Sequence, residues 1–235
     1  MSPFVDIHTH HKIDRKDLIA IRNIDVDNLA DIDVSSFYSL GIHPWSLSQQ
    51  TTDNGQQSLS HLSNSATRRL GDLLTRRLGD SNFLALGETG LDRVAAHDFE
   101  TQKKLFIKHI ELSEQYNKPL IIHCVRAYPD IISIRKETKA RQPWIIHGFR
   151  ANVQTAEQLL RHEIYISLGD VLFKDEEKSK RLLVTIPSER LFLETDVSER
   201  NIEDIYEKAA SIIGKDIEVL SRDIFNNFEK IFGKI

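Results

Sequence analysis

Short apolar runs recur along the chain, separated by longer stretches in which polar residues dominate and apolar ones return every third or fourth place. The runs are PFVDIHTH, LIAIRNI, SSFYSLGIHP, NFLALGETG, PLIIHC, PWIIHGF, EIYISLGD and RLFLETD. Several are too uniformly apolar for half-exposed strands and read as strands of a parallel sheet covered on both faces. Between them, Phe99 to Tyr116 sets Phe106, Ile110 and Leu112 among polar residues, and Val153 to Arg161 has the same amphipathic character. Ile202 to Ile213 follows the last run as a further helix. Repeated strand–helix units predict a parallel α/β fold, and about eight strands predict a (β/α)8 TIM-like barrel or a distorted relative of it. No linker interrupts the pattern, so residues 1–235 are expected to form one domain.

One six-residue string, TRRLGD, occurs at Thr67 to Asp72 and again at Thr75 to Asp80. Two short copies do not make a repeat architecture. The pattern reads as one helix with Leu70, Leu73, Leu74 and Leu78 facing inward and Arg68, Arg69, Arg76 and Arg77 in solvent.

Charge and composition narrow the function. A net charge of −4 gives no general affinity for a nucleic-acid backbone, so any such contact must be local. The single cysteine, Cys124, excludes an intrachain disulfide and fits a reducing compartment. It follows a histidine on an apolar run, so its side chain points to the opposite face and is expected to be buried and inert. No run is long enough to span a bilayer, and the first residues lack the basic and apolar regions of a signal peptide. A cytoplasmic protein is expected, without membrane association or an obligate protein partner.

The chemistry lies where the apolar runs end. His8 and His10 close the first run, His43 the third and Glu88 the fourth; His123, His147 and Asp196 close the fifth, sixth and eighth. On a strand, His8 and His10 share one face. In a parallel barrel the C-terminal strand ends open onto one rim, where active sites are built. So many ionisable groups ending apolar strands need partners, which divalent ions supply. Four imidazoles and two carboxylates suit two such ions: His8, His10 and Asp196 on one, His123 and His147 on the other, with Glu88 bridging. A hydroxide shared by the two would attack an electrophile. Two ions, two carboxylates and a hydroxide leave about one net positive charge, which favours an anionic transition state.

With these residues placed, the sequence resembles the TatD-type metal-dependent hydrolases, often called TatD DNases. The matching stretches are DIHTH, GIHPW, ALGETGLD, PLIIHC, IIHGF and LFLETD, in that order, with NNFEKIFG resembling the closing helix. The resemblance implies a (β/α) barrel, one or two divalent cations and hydrolysis of phosphodiesters in DNA. It places metal ligation on His8, His10, Glu88, His123, His147 and Asp196. The sequence departs from the family in two places. After His123 the family's H-x-R-x-A becomes Cys124, Val125, Arg126 and Ala127. After Asp196 the long family loop is replaced by Val197, Ser198, Glu199, Arg200 and Asn201, leading straight into the next helix. The chain looks like a shortened branch of the family.

The remaining assignments follow. Asp196 and Glu88 are expected to be catalytic as well as ligating. His43 at the rim binds a substrate phosphate, transfers a proton or hydrogen-bonds a metal ligand, three readings the residues leave open. Arg126, Arg150 and Arg200 are candidate substrate contacts, Asp6 and Asp92 candidate supports for imidazole N–H groups. Trp45 either packs its loop or stacks on a base. His11, His61, His97, His109 and His162 lack a strand-end context and are expected at the surface. Two divalent cations, Mg, Mn or Zn, are implied as cofactors. The expected function is a phosphodiesterase or deoxyribonuclease acting on DNA ends or short oligonucleotides, because no basic stripe for a long strand is evident. An amidohydrolase cleaving a C–N or C–O bond of a small molecule is the alternative; many such barrels bridge their metals with a carboxylated lysine, a place Glu88 takes here. A PHP-type phosphoesterase would need a late D-x-H motif that Asp196, Val197 and Ser198 do not supply, and a non-catalytic module would have no use for six ligands.

Overall fold

The structure, a computed structural model, describes residues 2–13, 15, 17–26, 35–46, 59–77 (side chains from 67), 79–95 and 98–234. Every apolar run of the sequence contains a strand. In chain order these are β1 (Phe4–Thr9), β2 (Leu18–Asp25), β3 (Tyr38–Gly41), β4 (Phe83–Asp92), β5 (Leu120–Val125), β6 (Trp144–Ile146), β7 (Tyr165–Leu168) and β8 (Leu191–Leu193). The helices are α1 (Leu59–Arg77), α2 (Phe99–Tyr116), α3 (Tyr128–Thr138), α4 (Val153–Arg161), α5 (Glu176–Thr185), α6 (Ile202–Ile213) and α7 (Ile217–Phe232). Strands follow one another in sheet order β1 to β8, the order of the (β/α)8 class. The chain gathers into two compact units: a terminal unit, Met1–Arg22 with Pro143–Ile235, and a central unit, Asn23–Gln142. Among the described residues no helix is long and apolar enough to cross a membrane.

In the terminal unit β1 pairs in parallel with the start of β2, Val5 opposite Ile19 and Asp6 opposite Ala20. Likewise β7 pairs with β6 and β8. Both faces of β1 are covered: Val5 and Ile7 are buried on one, Asp6 and His8 on the other. A second tether fixes β1. The buried Tyr206 hydroxyl of α6 donates to Val5 O at 3.0 Å and accepts from Val5 N at 3.1 Å, while its ring lies 4.8 Å from Phe4. Those two bonds satisfy backbone groups that burial would otherwise leave at a cost of about 1–3 kcal/mol each. Ile202, Ile205, Tyr206, Ala209 and Ile212 form the buried stripe that orients α6, and Gly214 closes the helix in the left-handed region at φ 65°.

In the central unit all ten residues of β4 are buried, and β4 pairs in parallel with β3 and β5. Glycine is required on either side of Glu88. Gly87 and Gly90 both hold φ 143°, and a Cβ on Gly87 would lie 2.5 Å from Ile121 O, while one on Gly90 would overlap His123 O. Only the missing side chain lets β5 lie this close to the strand that carries Glu88. On α2, Asp98 caps the first turn by accepting from Thr101 N at 2.9 Å, and Gln102, Leu105, Phe106, His109, Ile110 and Ser113 form the buried face.

His109 corrects the surface assignment: it is fully buried. It occupies the same helical stripe as Phe106 and Ile110, and its ring is satisfied at both ends, by Leu105 O at 2.9 Å and Ile42 N at 3.2 Å. The repeated TRRLGD string runs along α1 to the helix end at Arg77. Leu70 and Leu74 are buried, Leu73 is half-buried, and Arg68, Arg69 and Arg76 are exposed. Leu78 lies outside the described residues, as do His97 and the side chain of His61. Cys124 is buried as expected, and desolvation pushes its thiol far above the usual range, so it stays protonated.

Candidate metal centre

Each unit brings its own set of imidazoles and carboxylates together, and the two sets are built differently. In the terminal unit the end of β1 and the segment after β8 are locked side by side. Asp196 N donates to His8 O at 2.9 Å, and His10 N donates to Asp196 O at 3.0 Å. Asp196 holds φ 56°, a left-handed conformation uncommon outside glycine and costly enough to mark a position whose side chain must be aimed. Its Oδ1 lies 3.6 Å from His10 Nε2 and 3.8 Å from His8 Nε2. The His147 ring, at the end of β6, lies 4.2 Å from that of His8. One donor atom from each of His8, His147 and Asp196 falls within 4.8 Å of the other two. Separations of 3.6–3.8 Å are too long for hydrogen bonds. They suit donors sharing an ion, since two atoms each about 2.1 Å from a tetrahedral metal sit about 3.4 Å apart. The sequence division grouped His147 with His123; here it stands against His8.

Two carboxylates that ligation does not require support this set. Asp6, fully buried, accepts from Thr195 N at 3.0 Å and from Thr195 Oγ1 at 2.6 Å. Burial raises its pKa to about 7, against the lowering effect of those bonds. It holds Thr195 rather than the imidazole N–H expected of it. Glu194 has no assignment from the sequence. It is 1% exposed, accepts from Gly148 N, and places Oε1 3.7 Å from His147 Nδ1. Burial alone would raise its pKa; the imidazoles of His147 and His8 outweigh that and hold it below the usual range. A signal for it was present: Glu194 and Asp196 are two residues apart at one strand end, the spacing that flagged His8 and His10.

In the central unit Glu88 is the hub. Its Oε1 lies 2.8 Å from His123 Nδ1 and 3.0 Å from His43 Nε2, and Asn23 accepts from its backbone N at 2.7 Å. His43 Nδ1 accepts from Trp45 N at 3.1 Å. With Nδ1 taken by that N–H, Nε2 is the ring nitrogen left facing Glu88, which favours contact with a ligand over ligation by His43 itself. His123 is held from the other side as well, with Nε2 3.3 Å from Asp92 Oδ2. A neutral imidazole between two carboxylates always turns one lone pair toward a carboxylate oxygen. A cation at Nδ1, a metal ion or a second proton, removes that repulsion, so Glu88 and His123 fit a divalent ion. Asp92, whose Oδ1 also accepts from Val94 N at 2.7 Å, is the support expected of it. Burial would raise its carboxyl, but its bonds to Val94 N, Trp45 and His123 hold it below the usual range.

The three arginines differ. Arg150 is exposed, with Nη2 4.0 Å from Asp196 Oδ2. Arg200 lies over the Phe173 ring at 4.0 Å and 3.4 Å from Asp170 Oδ1. Arg126 is exposed just past β5 at φ 52°.

A family model described as TatD related DNase matches residues 20–233. YcfH of Escherichia coli K12, an uncharacterized metal-dependent hydrolase, is 32% identical over 165 residues, 63% of this chain and 62% of YcfH. The match thus spans less than two thirds of that relative's length. Among solved structures, YjjV, a TatD homologue from Escherichia coli K12, superposes with a TM-score of 0.78 at 19% identity over 99% of this chain and 98% of its own. A TatD family hydrolase from Entamoeba histolytica gives 0.77 at 17% identity over 98% of each. At such identities the likeness is one of fold, the (β/α)8 barrel.

Proposed function

Because the chain belongs to the TatD-related DNase family, we propose that it is a divalent-metal-dependent hydrolase cleaving phosphodiesters at DNA ends or in short oligonucleotides. The observation that carries this reading is the spacing of the terminal-unit donors, 3.6 and 3.8 Å from Asp196 Oδ1. Asp196, His8, His10 and His147 would hold one divalent cation, and Glu88 and His123 would hold a second. Imidazole-rich donors favour zinc or manganese over magnesium, which prefers oxygen ligands. When bound, such cations acidify water and withdraw charge from a phosphoryl oxygen.

The chain's own residues do the rest. Asp196, aimed by its left-handed backbone, takes the proton of the attacking water. Arg150, near Asp196 Oδ2, faces the phosphoryl charge. Glu194 places its charge 3.7 Å from His147 Nδ1, and Asp92, 3.3 Å from His123 Nε2, fixes that ring with its proton on Nε2 and leaves Nδ1 to ligate. His43, with Nε2 3.0 Å from Glu88 Oε1, orients that carboxylate. The test is a panel of phosphodiester, phosphomonoester and amide substrates on metal-stripped protein reloaded with zinc, manganese or magnesium. Phosphodiester turnover restored by a metal supports the reading; turnover of amides alone overturns it.

A further inference from the structure

Trp45 is the largest apolar side chain left exposed among the described residues, at 55%. A tryptophan that merely packed its loop would hide most of its rings, because an indole offers more apolar surface than any other side chain. This one is exposed yet fixed. Its Nε1 donates to Asp92 Oδ2 at 2.7 Å, a short charge-assisted bond. Its ring meets His43 edge-on at 5.0 Å and His123 at 5.9 Å, with interplanar angles of 84° and 73°. Asp92 is anchored in turn: fully buried Gln102 accepts from its backbone N–H at 2.8 Å and donates to its carbonyl at 3.0 Å. Val94, 62% exposed, donates its backbone N–H to the other oxygen of the Asp92 carboxylate at 2.7 Å.

One carboxylate oxygen thus orients both a proposed metal ligand, His123, and an exposed indole. An indole ordered in advance loses little freedom when a flat partner lies on it. Aromatic platforms take nucleobases in this way, whichever base is offered, because every base has a π-face. We propose that Trp45 is a specificity residue that stacks the nucleobase of the nucleoside attached to the scissile phosphate. The substrate class is a nucleoside ester rather than a sugar phosphate or an inorganic polyphosphate. This rests on the phosphodiesterase reading above, which places the phosphate at the neighbouring imidazoles.

The two tryptophans of the chain make the test direct, since Trp144 is fully buried and Trp45 is not. Thymidine 5′-monophosphate added to the metal-loaded protein should quench the emission of Trp45, while ribose 5-phosphate and inorganic phosphate at equal concentration should not. Trp45→Ala should abolish the quench, and Trp45→Phe should retain most of the binding. In turnover, Trp45→Ala should lower the preference for a base-bearing dinucleotide over its abasic counterpart by on the order of tenfold or more, expressed in KM. Equal binding of thymidine 5′-monophosphate and ribose 5-phosphate, or an unchanged preference in Trp45→Ala, overturns the proposal. The quench decides the matter even if no phosphodiester is cleaved: the platform then stands and the reaction assigned to it falls. Cleavage indifferent to the base has the reverse meaning.

Discussion

The terminal and central units each gather imidazoles and carboxylates, but at different spacing. In the terminal unit Asp196 Oδ1 stands 3.6 and 3.8 Å from two imidazole nitrogens. In the central unit Glu88 Oε1 lies 2.8 and 3.0 Å from its two. The first set is held apart by backbone: the β1 end and the Asp196 segment exchange two hydrogen bonds, and Tyr206 pins the start of the strand. The second has closed on itself through hydrogen bonds that an entering cation must replace. Rigid spacing favours an ion at once, whereas self-satisfied donors exchange protons for it. The terminal set should therefore bind metal more tightly, and the central set with the steeper pH dependence.

The strongest way to break this comparison is Asp196→Asn. The substitution keeps the shape and removes the charge and the base, so turnover at saturating metal should fall by about 10²–10⁴-fold. Near-normal turnover would transfer the proton to another group, with His43 the first to examine.

Acid should pull the two units in opposite directions when metal is absent. Burial in the central unit holds His109 at about 4 against an ordinary 6.5. The unfolded chain takes that proton first, so this stabilisation is complete above about pH 6.5 and is lost toward pH 4, by about 3 kcal/mol. In the terminal unit burial raises Asp6 to about 7 from 3.8. The folded chain takes that proton first, so its contribution is full below about pH 4 and is lost as pH rises through 7, by about 4 kcal/mol. The opposing slopes nearly cancel in the wild type. Urea unfolding from pH 7 to 4 should show His109→Gln gaining stability relative to wild type as pH falls, and Asp6→Asn losing it. Three parallel profiles would refute both assignments.

A smaller effect separates the supports. Glu194→Gln leaves a buried neutral group beside His147 and should weaken the tighter metal site about 10–100-fold in a chelator competition. Asp92→Asn should act on the weaker site instead. If both variants weaken the same binding event, the assignment of one ion to each unit fails.

Much of this was legible because strands buried on both faces read as unbroken apolar runs; all eight runs contain strands. Phe99–Tyr116, Val153–Arg161 and Ile202–Ile213 match α2, α4 and α6 to the residue. His8 and His147, far apart in sequence, bring their rings within 4.2 Å. What escaped was polar and buried. His109 was judged by its distance from strand ends, although its spacing from Phe106 and Ile110 put it on the apolar stripe of α2. Glu194 lay hidden behind Asp196, its carboxylate turned to Gly148 N and His147 by backbone geometry no composition reveals. The contacts of His43 turn on the Trp45 N–H at its Nδ1, a hydrogen bond between residues two apart that sequence alone does not fix.

The smallest effect tests whether charge matters away from both sets. Arg68, Arg69 and Arg76 of the repeated string are exposed on α1; Arg69 spends a guanidinium N–H on Val26 O at 3.1 Å, and Arg77 lies 3.6 Å from Asp80. A solvated helix face contributes little, so Arg68→Ala with Arg76→Ala should change stability by no more than about 0.5 kcal/mol. The same pair sharpens the substrate reading. If these arginines tracked a long single strand, removing two would make the log–log salt dependence of binding shallower by about 1.4, at about 0.7 ions per phosphate contact. A protein that grips only a terminal phosphodiester should show a slope no steeper than about −4, and the same slope in the double variant. Any clear loss of slope would place phosphate on α1, outside both sets of imidazoles and carboxylates.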